Sequence, residues 1–479
     1  MATQAILLSL PYISLQPSIS QVISDITHPS SQIGAEDCWI SCYRSAGPSK
    51  EDESESVHGK IRISQADEDS NEDIEIQARG EIQLEMINQS QFRASCETLS
   101  IPQTTLHLPS PLHNAPSTSR SLSSTSEDTP APCFLTIQTR GGIDHFVLSS
   151  DGRRIAIGSK DGQCRVVEIV RFEEQDGKTR LRKGKETALR GHVGDITRVE
   201  FFPSNEVVLT ASSDMSLRVF SAIDGSNPRH LQGHTKRVTG LHILTSQDGQ
   251  HKGREILSSS LDGTLKLWDV STGPNTRTWR LSKPISSLLV MIEEGEAVTS
   301  NVLDGKFAMC GHADGEISIL SLASSTGELE ISSSSPLTTL KTASTSSIES
   351  IAFQPKKRLV AVGARNGIVT LFKLPSSPLS QISQVELAPI VSWRRTEGSS
   401  INSLKWSQKG GGYSLLVASS DGLPYRASVT IEEGGEVEVR VVEEFVGLDC
   451  DACTCIDEDG EGRVWTSGGT GDGSIRVYE

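Results

Sequence analysis

SSSLDGTLKLWDV, residues 258–270, decides the fold of this chain. Its Asp262-Gly263 pair is a two-residue turn that needs positive φ, and the residues on either side alternate between apolar and polar, so the stretch predicts a β-hairpin. Six weaker copies of the same pattern follow from it: 155–169, 207–221, 307–322, 359–374, 415–429 and 464–479. Their turn residues are Asp161, Asp214, Asp314, Asn366, Asp421 and Asp472, and with Asp262 they recur every 48 to 55 residues. Spacing this even marks a repeat architecture.

A third, mostly apolar run precedes each hairpin: IDHFVLS (143–149), ITRVEFF (196–202), VTGLHIL (238–244), ISSLLVMI (285–292), IESIAF (348–353), INSLKW (401–406) and CDACTCI (450–456). A strand packed on both faces has this composition. A more polar fourth strand follows, as in RHLQG (229–233) and TRTWRL (276–281). Four antiparallel strands per unit, repeated radially, predict an all-β, seven-bladed β-propeller over residues 131–479. The last unit ends on its third strand, and an open edge there would be an aggregation hazard. CFLTIQT (133–139), within a closing segment at 131–140, is the expected fourth strand.

The 479 residues carry a formal charge of −16, unevenly spread. Residues 1–135 hold 18 acidic and 7 basic side chains, with the excess in EDESES (51–56) and DEDSNEDIE (67–75). This balance argues against broad nucleic-acid or anionic-membrane binding. No apolar run reaches the length of a membrane span. The start, MATQAILLSLPYISL, lacks the basic region of a signal peptide. Nine scattered cysteines fit a reducing compartment, cytoplasm or nucleus. Residues 1–106 are expected to form a β-rich accessory region with an acidic, disordered insertion at about 45–75, and the Ser/Pro-rich residues 107–130 a linker.

Several motifs invite chemistry and are better explained by packing. Cys450, Cys453 and Cys455 form C-x-x-C-x-C, but a zinc site wants a fourth ligand and a wrapping loop, and these residues fall in a predicted inner strand. SGGTGDGS (467–474) lacks the Lys-Ser/Thr of a phosphate loop. KTRLRKGK (178–185) reads as a solvated loop rather than a nucleic-acid patch. No catalytic set, cofactor signature or metal site stands out, so the expectation is a non-catalytic, monomeric binding platform. The face carrying the hairpin turns is the expected binding surface, with Lys160, Asp195, Lys236, Arg237, Arg365, Asp449 and Asp451 on it.

The repeats resemble the WD40 family, although units of about 50 residues exceed its usual length. In the third unit His234, Ser260, Asp262 and Trp268 match that family's buried hydrogen-bond chain. His192, Ser212 and Asp214 match it in the second, where Phe220 replaces the Trp. More narrowly, GHVGDITRVEFFPSNEVVLTASSDMSLRVFSAIDGSNPRHLQGH (191–234) resembles the proteasomal ATPase-associated factor family. FFPS (201–204) and DGSNPR (224–229) are its most specific parts, and REILSSSLDGTLKLWDVSTG (254–273) continues it. WISCY (39–43) and GLDCDA (447–452) are fainter echoes. This resemblance implies an assembly chaperone of the 26S proteasome's regulatory particle. Its propeller would bind the C-terminal domain of a base ATPase subunit and hold it back from the 20S core. Asp449 and Asp451 are the first contacts it implies. The competing expectation is a generic WD40 scaffold, such as a ubiquitin-ligase substrate receptor or a ribosome-biogenesis factor.

Overall fold

The computed structural model describes residues 7–27, 32–45, 54–66, 74–88, 90–109, 135–136, 142–173, 179–245, 252–292, 303, 305–323, 332–333, 336–376, 379, 387–407, 413–432, 437–448, 451–469 and 473–479. Seven antiparallel sheets follow one another along the chain as blades. Their inner strands are Ile143–Leu148, Ile196–Phe201, Val238–Thr245, Ile285–Ile292, Ile348–Gln354, Ile401–Trp406 and Cys453–Glu458. Each of these packs on the next, and the seventh packs on the first, so the ring is closed. In blade 7 the outermost strand is Leu135–Thr136, antiparallel to Ser474–Tyr478 with Thr136 opposite Ser474.

The core is a set of seams between neighbouring blades. Blades 1 and 2, for example, share a cluster built from Ala156, Val166, Ile196, Val208 and Phe220. Blades 7 and 1 share one holding Ile155, Val167, Trp465 and Ile475. Middle strands such as Lys306–His312 are buried at every position, because a neighbouring blade covers each face.

Every inner strand carries the same irregularity. Register shifts at its second residue in all seven blades, at Asp144, Thr197, Thr239, Ser286, Glu349, Asn402 and Thr454. A bulge turns that residue out of the pleat, and in four blades it stitches the ring. The side chains of Thr239, Ser286, Asn402 and Thr454 donate to the first inner-strand carbonyl of the next blade, Ile285, Ile348, Cys453 and Ile143, at 2.6–2.8 Å. Asp144 and Glu349, as carboxylates, cannot donate this bond and turn to cations instead.

The N-terminal region is joined to the propeller by strand pairing. Leu7–Ser9 lies parallel to Val391–Arg394, the outer strand of blade 5. Ile101–His107 lies parallel to Val437–Phe445, the outer strand of blade 6. Between them, Tyr12–Leu15, Ala35–Arg44, Glu55–Gln65 and Ile74–Arg79 form a sheet covered by the helix Ile19–Thr27. The acidic insertion expected to be disordered over about 45–75 is therefore corrected in part. Residues 55–65 are a strand, because alternating Val57, Ile61 and Ile63 give it a face to bury. Ile74 and Glu75 begin the next strand, Ile74–Arg79, whereas residues 46–53 and 67–73 of that insertion and 110–130 of the expected linker lie outside the described residues. Residues 179–185 of KTRLRKGK are likewise no loop: Thr179–Leu189 is the outermost strand of blade 1.

Candidate functional site: the turn face and channel mouth

The imidazole of His234 is buried where the loop entering blade 3 meets that blade's hairpin. Its Nδ1–H donates to Asp262 Oδ2 at 3.0 Å. Its Nε2 accepts from the Ser258 hydroxyl at 2.8 Å, and that oxygen in turn accepts from Trp268 Nε1–H at 2.8 Å. The serine of the chain is therefore Ser258, and the sequence expectation of Ser260 is corrected. Both residues lie on one face of the strand, two apart. Ser258 sits one pleat further in, level with the indole, while Ser260 donates to the Lys236 carbonyl and accepts from the Asp262 amide. Blade 2 repeats the correction: His192 contacts Asp214 at 2.8 Å and Thr210 at 2.7 Å. Ser212 binds the Gly194 carbonyl instead.

In blade 2 the His–Asp pair is a hydrogen bond from a neutral imidazole. Burial pulls the His192 pKa down against the pull of Asp214. Burial alone would raise Asp214, but hydrogen bonds from Ser216, His192 and the Val193 amide outweigh it and hold its pKa down to about 2. With every polar group satisfied, the arrangement rigidifies the loops and offers no free base.

Blades 4, 5 and 6 keep the clamp and change its donor, a substitution the sequence pattern did not reveal. Lys283 Nζ binds Asp314 at 2.6 Å in blade 4, Ser344 binds Asn366 at 3.0 Å in blade 5, and Thr396 binds Asp421 at 2.5 Å in blade 6. In each, the loop entering the blade grips the acceptor in that blade's turn.

The turn face surrounds a central channel of about 360 Å³ lined by His145, Arg198, Glu200, His242, Glu349 and Lys405 among others. Asp144 of blade 1 draws two of the expected surface cations to its mouth. Lys160 lies 3.9 Å away within the same blade and Arg237 3.7 Å away from blade 3. Lys160 also donates to the Gly469 carbonyl of blade 7 at 2.8 Å. Arg365 pairs with Glu349 at 3.4 Å. Asp195 and Asp451 are half-buried in loops entering blades 2 and 7, Lys236 is exposed, and Asp449 lies outside the described residues. Lys160 and Arg237 are thus brought together at Asp144, whereas Arg365 and Asp451 lie at other blades. Asp144 and Glu349 went unnoticed in sequence; their signal was a charged residue at the second position of an inner strand.

Burial lifts the Cys455 pKa to about 11, and raises Cys453 as well. Both thiols are therefore packed and protonated. Cys450 lies outside the described residues. Among the described residues no helix is long and apolar enough to cross a membrane.

This geometry is that of a WD40-repeat β-propeller, and the comparisons agree. The WD domain, G-beta repeat pattern matches residues 184–221 and 225–269. The chain is 29% identical over 181 residues to the 26S proteasome regulatory subunit RPN14 of Saccharomyces cerevisiae, covering 35% of this chain and 39% of that protein. It is 28% identical over 159 residues to apoptotic protease-activating factor 1 of Danio rerio, covering 33% and 11%. It is also 28% identical over 219 residues to the tRNA (guanine-N(7)-)-methyltransferase non-catalytic subunit wuho of Aedes aegypti, covering 45% and 47%. The chain thus spans less than half the length of each of these relatives. WD40 domains mediate protein interactions, and this chain resembles the yeast proteasome subunit.

Proposed function

We propose that this propeller is a non-catalytic assembly chaperone of the 26S proteasome regulatory particle, acting in cytoplasm and nucleus. It binds the C-terminal domain of a base ATPase subunit on its turn face and delays docking on the 20S core. The similarity to the yeast proteasome regulatory subunit carries this reading. A rigid platform of clamped loops supports it, since little conformational entropy is lost when such a surface is covered.

The test is a pulldown of the purified chain with each base ATPase C-terminal domain in turn. One domain is expected to bind, and charge reversal at Asp449 and Asp451 is expected to weaken it. Capture of none, alongside recovery of cullin or pre-ribosomal components from cells, would overturn the proposal in favour of a general scaffold. Binding of an ATPase domain that survives the charge reversal intact would remove only those two contacts.

A further inference from the structure

The turn of blade 2 differs from the turns of the other six blades. In those six the residue after the turn Asp or Asn is glycine with positive φ: Gly162, Gly263, Gly315, Gly367, Gly422 and Gly473. Two constraints select it. The backbone is left-handed, and the turn presses on the loop entering the next blade. A Cβ at Gly162 would lie 3.0 Å from the Gly194 carbonyl oxygen, and one at Gly367 2.8 Å from that of Ser399. Blade 2 places Met215 at this point, at φ +68°. A side chain held in that region is strained, and strain of this kind collects at functional positions.

Met215 is 44% exposed, and Val193, whose amide is bonded to the adjacent Asp214, is 90% exposed. Val193 is the most exposed large apolar residue among those described. Asp214 holds the two loops together. Its Oδ2 accepts from His192 Nδ1 and from the Val193 amide at 2.8 and 3.2 Å, while Oδ1 accepts from the Ser216 amide and hydroxyl at 3.0 and 2.7 Å. The clamp that buries His192 therefore presents Val193 and Met215 on one rigid unit.

The charges around this apolar pair lean positive. Arg190, three residues before Val193, is exposed, as is Lys236 in the loop entering blade 3. Neither has an ion-pair partner among the described residues. The carboxylates of Asp214 and Asp262 are occupied by hydrogen bonds within the clamps. Asp195, two residues beyond Val193, is half-buried and opposes them. In a chain of net charge −16, a cation-flanked apolar knob is complementary to an acidic segment.

We infer that Val193 and Met215 form the apolar centre of a docking surface on blade 2. Its occupant is an acidic segment of a protein partner carrying one large apolar side chain. That side chain packs on Val193 and Met215, and its flanking carboxylates pair with Arg190 and Lys236. The inference stands apart from the proteasome reading, because its probe is a peptide and not an ATPase domain.

Fluorescence anisotropy with the full chain tests it. The probes are an Asp/Glu-rich peptide with a central Leu, the same peptide with Ser for Leu, and a Lys-rich version. The Leu-containing acidic peptide is expected to bind tightest, with an affinity that falls as salt rises. Val193→Ser and Met215→Gly should each weaken it at least tenfold, and Lys236→Glu several-fold. Because glycine suits the left-handed turn, Met215→Gly should melt no lower than the parent, which separates lost contact from lost fold. Equal binding of the Leu and Ser peptides, or unchanged affinity in both apolar variants, would overturn the inference.

Discussion

Blades 2 and 3 and blades 5 and 6 solve the same problem by different chemistry. Each must fix the loop entering it against its own hairpin and finish its outer edge. Blades 2 and 3 do the first with a buried histidine; blade 2 ends on its own polar fourth strand, Arg229–Gln232, and blade 3 adds the two-residue strand Ser332–Ser333 to its fourth. Blades 5 and 6 use only a hydroxyl on the turn and cover their edges with N-terminal strands in parallel. The cover is sealed by a buried ion pair: Glu444 accepts from Arg395 at 2.8 Å and from the Ile13 amide at 3.0 Å, and Arg395 lies 4.3 Å from the Tyr425 ring centre. The self-sufficient blades are the ones a sequence motif can find. The dependent ones borrow their stability from residues hundreds of positions away.

Breaking the borrowed seal should have the largest effect. Arg395→Ala leaves the Glu444 carboxyl buried without its cation and should cost about 3–5 kcal/mol in urea unfolding. Arg395→Met with Glu444→Gln, which keeps an acceptor for Ile13, should recover most of that loss. A small effect of the single variant would show that the N-terminal strands hold through backbone pairing alone.

The internal clamp should come next. Ser258→Ala strands both Trp268 Nε1–H and His234 Nε2 and should cost about 2–3 kcal/mol. Ser260→Ala, whose partners lie beside exposed Lys236, should cost roughly 1 kcal/mol or less. Equal costs would return Ser260 to the chain in which the sequence placed it.

The smallest of the three effects is on pH. Asp214 is held down to about 2 in the folded chain, below its ordinary carboxylate value. A depressed pKa contributes stability that is present above about pH 4 and is lost as pH falls toward 2, at most about 2 kcal/mol. Asp214→Asn should flatten that acid limb of the stability curve. An unaltered limb would mean that the clamp of blade 2 carries no net electrostatic weight.

Legibility in the sequence followed these differences. Hairpin turns and two-sided inner strands were readable in all seven units, because turn chemistry and hydrophobic period are local properties. The His–Asp partners of blades 2 and 3 could be named for the same reason. Ser258 could not be told from Ser260, since alternation puts both on one face and only the reach of the indole selects between them. The clamps of blades 4 to 6 escaped notice because lysine, serine and threonine in a loop carry no distinctive signal. The seam with the N-terminal region was hidden more deeply. LLS at residues 7–9 is three residues long, and nothing local specifies that it joins blade 5.

The sequence by itself determined the repeat, the blade count and the turn at each hairpin, because each of these is set within a few residues. Only the tertiary structure decided which serine completes the buried chain, where Asp144 and Glu349 turn their carboxylates, and which edges the N-terminal strands cover. Those outcomes depend on distances between residues far apart in the chain, and they are fixed when the ring closes and the seams pack.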